Sequence, residues 1–174
     1  AAFSQLRESK GYFRQEARFQ IGEIARELGN FPLAIQQYQA ILAEDPKNPL
    51  ASRTRRAIGI CLFKAKDYPA AEQMFREILK DFPATDIAIP ESRLWLGRIF
   101  LAQTRVEDGI LEMLKVPVLY PRSPLVAEAY AEAARAYTGQ GNDVKAKRMW
   151  REVLQVTSKG PLVTEARKAL GKQP

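Results

Sequence analysis

The sequence predicts an all-α solenoid of antiparallel helix hairpins with a period of about 37 residues. Three observations predict it. A small–Arg–x–x–apolar–Gly hexapeptide recurs, an Ala and a large residue four positions later keep the same beat, and apolar stripes at helical spacing alternate with proline-bearing linkers.

The hexapeptide marks the first helix of each repeat. It reads Ala17-Arg18-Phe19-Gln20-Ile21-Gly22, then Thr54-Arg55-Arg56-Ala57-Ile58-Gly59, then Ser92-Arg93-Leu94-Trp95-Leu96-Gly97. The glycines lie 37 and 38 residues apart, and the motif returns 74 residues on as Ala166-Arg167-Lys168-Ala169-Leu170-Gly171. The missing member falls midway, at Ala129-Tyr130-Ala131-Glu132-Ala133-Ala134, with Ala for Gly and Tyr for Arg.

Second helices follow on the same beat. Ala34, Ala71 and Ala146 each come twelve residues after the Gly or Ala of their repeat, and Tyr38, Phe75 and Trp150 four later. In the third repeat the pair is Gly109 and Met113. Ala34, Ile35, Tyr38, Ile41 and Leu42 form a one-sided helical stripe, which Ala71–Leu79 and Ala146–Leu154 repeat. Asn30 and Asp67 are expected N-caps ahead of Pro32 and Pro69, since Pro is tolerated in a first helical turn. Pro117 falls inside the third of these helices, where it should kink or shorten it. Pro46, Pro83 and Pro121 close the first three repeats, with Ser158 in the fourth, and Pro49, Pro90, Pro124 and Pro161 lead into the next first helices.

The repeats therefore span 12–48, 49–85, 86–123 and 124–160 of one solenoid over 1–174. Residues 1–11 read as the end of a preceding helix, consistent with a truncated or processed start. Residues 161–174 read as a capping helix or the start of a fifth repeat. Gly22, Gly59, Gly97 and Ala134 should sit where the two helices of a hairpin cross, faced by Ala34, Ala71 and Ala146. Tyr38, Phe75 and Trp150 should fill space toward the next repeat.

Composition excludes much chemistry. The chain has 174 residues, 27 Lys and Arg against 20 Asp and Glu, a net charge of +7, one Cys and no His. No His-based triad, general base or His-ligated metal is possible, and Cys61 alone makes no internal disulfide or Cys-rich metal site. Cys61 reads as an inert core thiol. No cofactor and no enzyme activity are expected. The longest apolar run, 57–63, is far short of the roughly 20 residues that cross a bilayer.

The pattern Ile21-Gly22, Ala34, Tyr38, Pro46, repeated as Ile58-Gly59, Ala71, Phe75, Pro83, resembles the tetratricopeptide repeat family. The resemblance implies a right-handed superhelix and a non-catalytic scaffold or adaptor whose concave groove is lined by first helices. Carried onto this chain, the groove positions are Glu16, Phe19, Glu23, Arg26 and Glu27, then Arg53, Arg56, Ile60, Phe63 and Lys64. They continue as Glu91, Leu94, Arg98 and Leu101, with Trp95 at the edge, then Glu128, Ala131 and Arg135. Arg53, Arg56, Phe63, Lys64, Trp95, Arg98 and Arg135 are thus the expected partner contacts, a basic and partly aromatic surface suited to an acidic or extended peptide. A family clamp for chaperone tails is not reproduced, because Phe19 and Glu23 stand at its positions.

The linker Tyr120-Pro121-Arg122-Ser123-Pro124 is similar to those of bacterial envelope members, including the Tol-Pal coordinating protein and the outer-membrane assembly lipoprotein. That implies a place in envelope complex assembly, in the periplasm or envelope, with the cytoplasm as the other possibility. The chain starts with Ala1 rather than the lipoprotein Cys, so anchoring is not expected.

Two further features carry alternatives. Arg18, Arg55, Arg93 and Arg167 either pack their stems between repeats and reach a linker carbonyl or carboxylate, or form a basic ladder. Lys145, Lys147, Arg148 and Arg151 make a second basic surface. It would serve a structural subunit packed by convex or end surfaces, or a nucleic-acid or membrane-surface binder, though no nucleic-acid reading motif accompanies it.

Overall fold

The structure is a computed structural model that describes residues 2–171, with side chains from residue 11 onward. Nine helices and no strand occur among the described residues. They are α1 (Ala2–Glu27), α2 (Phe31–Glu44), α3 (Ala51–Lys64), α4 (Tyr68–Asp81), α5 (Ala88–Ala102), α6 (Val106–Leu119), α7 (Val126–Gly139), α8 (Asp143–Val156) and α9 (Pro161–Ala169). The fold is an all-α repeat. The chain divides into two compact units between Ile89 and Pro90.

Local chemistry sets each hairpin turn. Asn30, Asp67 and Asn142 cap α2, α4 and α8, their side-chain oxygens accepting from the N–H groups of Leu33, Ala70 and Lys145. One residue before each cap the backbone turns left-handed, at Gly29, Lys66, Thr104 and Gly141. Glycine takes that conformation freely, whereas Lys66 and Thr104 do so at a steric cost. The third turn is the odd one, because Arg105 offers α6 no side-chain cap.

Each first helix meets its second helix at the expected small residue. A Cβ built on Gly22 would lie 2.5 Å from the ring of Tyr38, and one on Gly59 would lie 2.8 Å from Phe75. Tyr38 and Phe75 therefore fill the crossing of their own hairpin, and Tyr38 also joins a core cluster with Ala57, Ile58 and Cys61 of the next repeat. At the third crossing, a Cβ on Gly97 would come 2.9 Å from the carbonyl oxygen of Gly109, so two backbones touch. Trp150 instead shares a core cluster with Ala134 of its own hairpin and Ala166 of α9.

Two boundaries differ from expectation. α1 runs unbroken through Gly11, where the end of a preceding helix was expected. A lone helical Gly costs only about 1 kcal/mol, too little to stop a long helix. Pro117 does not shorten α6, which has the 14 residues of α2, α4 and α8. Lying in the last turn, it withdraws a single N–H from the ladder.

In the first unit, α3 packs on both α1 and α2. That contact buries Leu50, Ile58 and Cys61. Their counterparts one period earlier on α1, Phe13, Ile21 and Ile24, are exposed. The same register position is core in one repeat and surface in another.

Candidate functional site

In the first unit, α3 displays the expected contacts along one face, because Arg53, Arg56, Phe63 and Lys64 recur at helical spacing. Lys64 is exposed, and Arg56 and Phe63 are half-buried. The guanidinium of Arg53 lies 3.9 Å from the ring centroid of Phe19 and 3.6 Å from Glu16 on α1. Phe63 packs against Tyr68 at 5.5 Å between centroids. Phe19 itself is buried and tilted against Tyr38 at 5.3 Å, so it supports Arg53 and offers no surface of its own. Leu94 and Ala131, expected in the groove, are likewise buried. Their side chains face the core of a hairpin and not a partner.

Beneath this face sits a small polar network. Glu23 accepts a hydrogen bond from Arg26 at 2.7 Å and another from the Tyr38 hydroxyl. Burial pushes the Glu23 carboxyl up, but the bonds from Arg26 and Tyr38 outweigh it and hold it below the ordinary carboxylate value. Burial, with the Glu23 bond second, raises the Tyr38 hydroxyl. Cys61 is fully buried, and burial pushes its thiol up to about 11, so it stays a protonated core residue.

The second unit holds Trp95, Arg98 and Arg135. Arg98 on α5 bonds Glu132 at 2.5 Å and Glu128 at 2.5 Å, both on α7, and its guanidinium lies 4.5 Å from the Trp95 ring centroid. Desolvation works against the Arg98 charge, yet the two carboxylates raise its pKa. Arg135 on α7 holds Glu165 of α9 at 2.5 Å. Arg53–Glu16, Arg98–Glu132 and Arg135–Glu165 thus each join one first helix to the next. Sequence reasoning placed Glu16 and Glu128 in the groove beside the arginines but missed Glu132 and Glu165. At Arg53, Arg98 and Arg135 the expected basic surface is locally charge-balanced.

The repeated arginines pair inside their own hairpins. Arg18 lies 3.6 Å from Glu44, Arg55 2.6 Å from Asp81, and Arg93 2.8 Å from Glu112. Glu44 and Asp81 are the last residues of α2 and α4, so each Arg ties the start of a hairpin to its end. The basic-ladder alternative fails for these three. Each guanidinium reaches a carboxylate, at a helix end for Glu44 and Asp81 and in the middle of α6 for Glu112.

Lys145, Lys147, Arg148 and Arg151 are all exposed on α8. Lys145 Nζ lies 5.3 Å from the Tyr137 ring centroid. Among the described residues no group of three or more His, Cys, Asp or Glu is placed to hold a metal ion, and no helix is long and apolar enough to cross a membrane.

Comparison with known proteins agrees with this geometry. Two tetratricopeptide repeat models match, over residues 14–84 and 57–124, together more than half of the chain. No curated protein matches it. Among solved structures, it is similar to a Podosopora anserina protein of nearly identical TPR-like repeats, at 15% identity and TM-score 0.72, covering 90% of this chain and 83% of that one. A tetratricopeptide repeat protein from Parabacteroides merdae gives 16% identity and TM-score 0.69, covering 90% of this chain and 59% of that one. Pseudomonas aeruginosa pilF gives 16% identity and TM-score 0.70, covering 93% and 70%. Identities this low speak for the fold alone. With the hairpin register, the small-residue crossings and both family models in agreement, the chain belongs to the tetratricopeptide repeat family.

Proposed function

We propose that the chain is a non-catalytic scaffold that holds a protein partner on the first-helix faces of its repeats. Repeats of this family generally mediate protein–protein interaction. The observation that carries the finer reading is a guanidinium laid on an aromatic ring in each unit, Arg53 over Phe19 and Arg98 by Trp95. Trp95 with Arg98 offers rigid area with a polar end, the composition that dominates interface energies, while the buried Phe19 fixes the Arg53 guanidinium from beneath. Arg53, Arg56, Phe63 and Lys64 contact the partner in one unit, and Trp95, Arg98 and Arg135 in the other. Arg98 and Arg135 already hold carboxylates. Partner acids therefore exchange with those groups, which favours an extended segment mixing acidic and apolar residues. A setting in bacterial envelope complex assembly rests on the 120–124 linker alone.

The test is affinity purification from the native source with the wild type and an Arg53→Glu/Lys64→Glu variant. A partner enriched by the wild type should be lost from the variant at unchanged melting temperature. Identical co-purifying proteins for the two would sink the reading, and fractionation of the source tests the compartment.

A further inference from the structure

The outer face of α6 departs from the repeat. Two, five and nine residues after the small crossing residue, α2 carries Gln36, Gln39 and Ala43. α4 carries Gln73, Arg76 and Lys80 there, and α8 carries Arg148, Arg151 and Gln155. All nine of these side chains are exposed. At the same three positions α6 carries Leu111, Leu114 and Val118. Leu111 is 57% and Val118 74% exposed, while Leu114 is half-buried. A solvent face that elsewhere carries polar side chains, apart from the small Ala43, has become wholly apolar once.

The patch has shape as well as composition. α7 is alanine-rich, with Ala131, Ala133 and Ala134 buried, so it lies low between α6 and α8. Above it runs a groove of about 500 Å³ lined by Leu111, Leu114, Tyr137 and Lys145. It is continued by a second of about 370 Å³ that adds Val118, Tyr130 and Arg148. Charge singles out the kind of occupant. Arg53, Arg98 and Arg135 are each paired with a carboxylate. Among the described residues, neither Lys145 nor Arg148 is ion-paired. Of the acids that border the groove, Glu107 accepts a hydrogen bond from Gln140 at 2.6 Å, and Glu152 stands at the far end beside Tyr130.

We propose that the groove between α6 and α8 is a second docking site, and that it takes an acidic amphipathic helix from a partner protein. The helix sets apolar side chains on Leu111, Leu114 and Val118 and directs carboxylates at Lys145 and Arg148. A docked helix anchors by its own i, i+3/i+4 and i+7 residues, and the stripe of Leu111, Leu114 and Val118 along α6 gives such a row an apolar surface to lie on. This site is independent of the first-helix faces.

The experiment titrates the full chain, labelled with ¹⁵N, with a synthetic amphipathic helical peptide bearing a Leu stripe flanked by Glu. A matched peptide with Lys for every Glu is run beside it. The acidic peptide should shift the amides of Leu111, Leu114, Val118, Tyr137, Lys145 and Arg148. Leu111→Gln/Val118→Lys restores residues that α4 carries at these positions, so it should keep the melting temperature and weaken binding about tenfold or more. Lys145→Glu/Arg148→Glu should weaken it by a similar factor, and rising salt should weaken the wild type. Arg53→Glu/Lys64→Glu should bind as the wild type does, which separates this site from the proposed function. Equal binding of the basic peptide overturns the proposal, as does the absence of shifts at millimolar peptide. So does a wild-type dimer in sedimentation that Leu111→Gln/Val118→Lys dissolves, since the patch would then serve a second copy.

Discussion

Arg98 and Glu132 stand 2.5 Å apart across two first helices, with Glu128 on the same guanidinium. The Arg98 side chain is 23% exposed and that of Glu132 15%, so the pair is largely withdrawn from water. Breaking such a pair costs more than making it gains, because the partner left behind keeps its desolvation cost. Arg98→Ala leaves two carboxylates facing each other and should lower stability by about 1–3 kcal/mol. Arg98→Glu should be worse. A double-mutant cycle with Glu132→Ala, followed by urea unfolding, should give a coupling energy clearly above the 0.2–1 kcal/mol of exposed pairs. A coupling near zero would show the pair to be incidental. Arg98 is therefore a poor position for testing partner binding by charge reversal, since fold and surface fail together.

Glu23 links pH to stability in the first unit. Its folded pKa lies below the ordinary 4.5, with the Arg26 and Tyr38 bonds outweighing burial. In the acid range the unfolded chain then binds more protons at this site than the folded one, so stability rises with pH there. The contribution is fully present above about 4.5 and is lost as pH falls through the lower folded value. Glu23→Gln should lower stability at pH 7 and flatten the acid limb of a stability-against-pH curve measured by urea melts. A variant with an unchanged acid limb would remove Glu23 from this role. Glu165, held down first by its bond from Arg135, should add an effect of the same sign.

Thr104 adopts a backbone φ of 63° in the turn between α5 and α6. A β-branched residue pays for that geometry in steric energy, about 1 kcal/mol or more relative to glycine. The equivalent positions Gly29 and Gly141 carry the residue the turn prefers. Thr104→Gly should raise stability by about 0.5–1 kcal/mol in thermal melts, and Thr104→Ala should not. Equal effects of the two would assign any gain to loss of the side chain, not to the turn.

The parts of the molecule legible in the sequence are those fixed within one hairpin. The close crossings at Gly22 and Gly59 and the Asn30 and Asp67 caps follow from short spacings that recur with the period, although the rings of Tyr38 and Phe75 at those crossings were not expected there. The ion pairs between first helices were hidden for a physical reason. Arg98 to Glu128 and Arg135 to Glu165 each span 30 residues, and Arg98 to Glu132 spans 34, so each pair joins residues of different repeats that no motif within one hairpin sets side by side. Phe19 was misread as surface because Arg53 lies over its ring, and the position of a neighbouring repeat's side chain is not written in local spacing. The apolar face of α6 was written in the sequence in full. It becomes visible when Leu111, Leu114 and Val118 are set beside their polar counterparts in the other second helices.

Gly97 and Gly109 give the sharpest test of the crossing geometry. A Cβ on either would lie 2.9 Å from the other's carbonyl oxygen, and backbone on both sides cannot yield as a side chain can. At Gly22 and Gly59 the obstacle is the ring of Tyr38 or Phe75, which is free to tilt within its packing. At Gly11, inside α1, an added Cβ would meet nothing within 4 Å. Substitution by Ala should therefore change sign along this series. Gly11→Ala should stabilise by about 0.5–1 kcal/mol through helix propensity alone. Gly97→Ala gains the same propensity but must separate two helices, which should leave a net loss of about 1–3 kcal/mol, with Gly22→Ala and Gly59→Ala between the extremes. Urea unfolding of the four variants measures the order directly. If Gly97→Ala were as stable as the wild type, the close approach of α5 and α6 would be wrong, and the small residue that paces the whole sequence would need another cause.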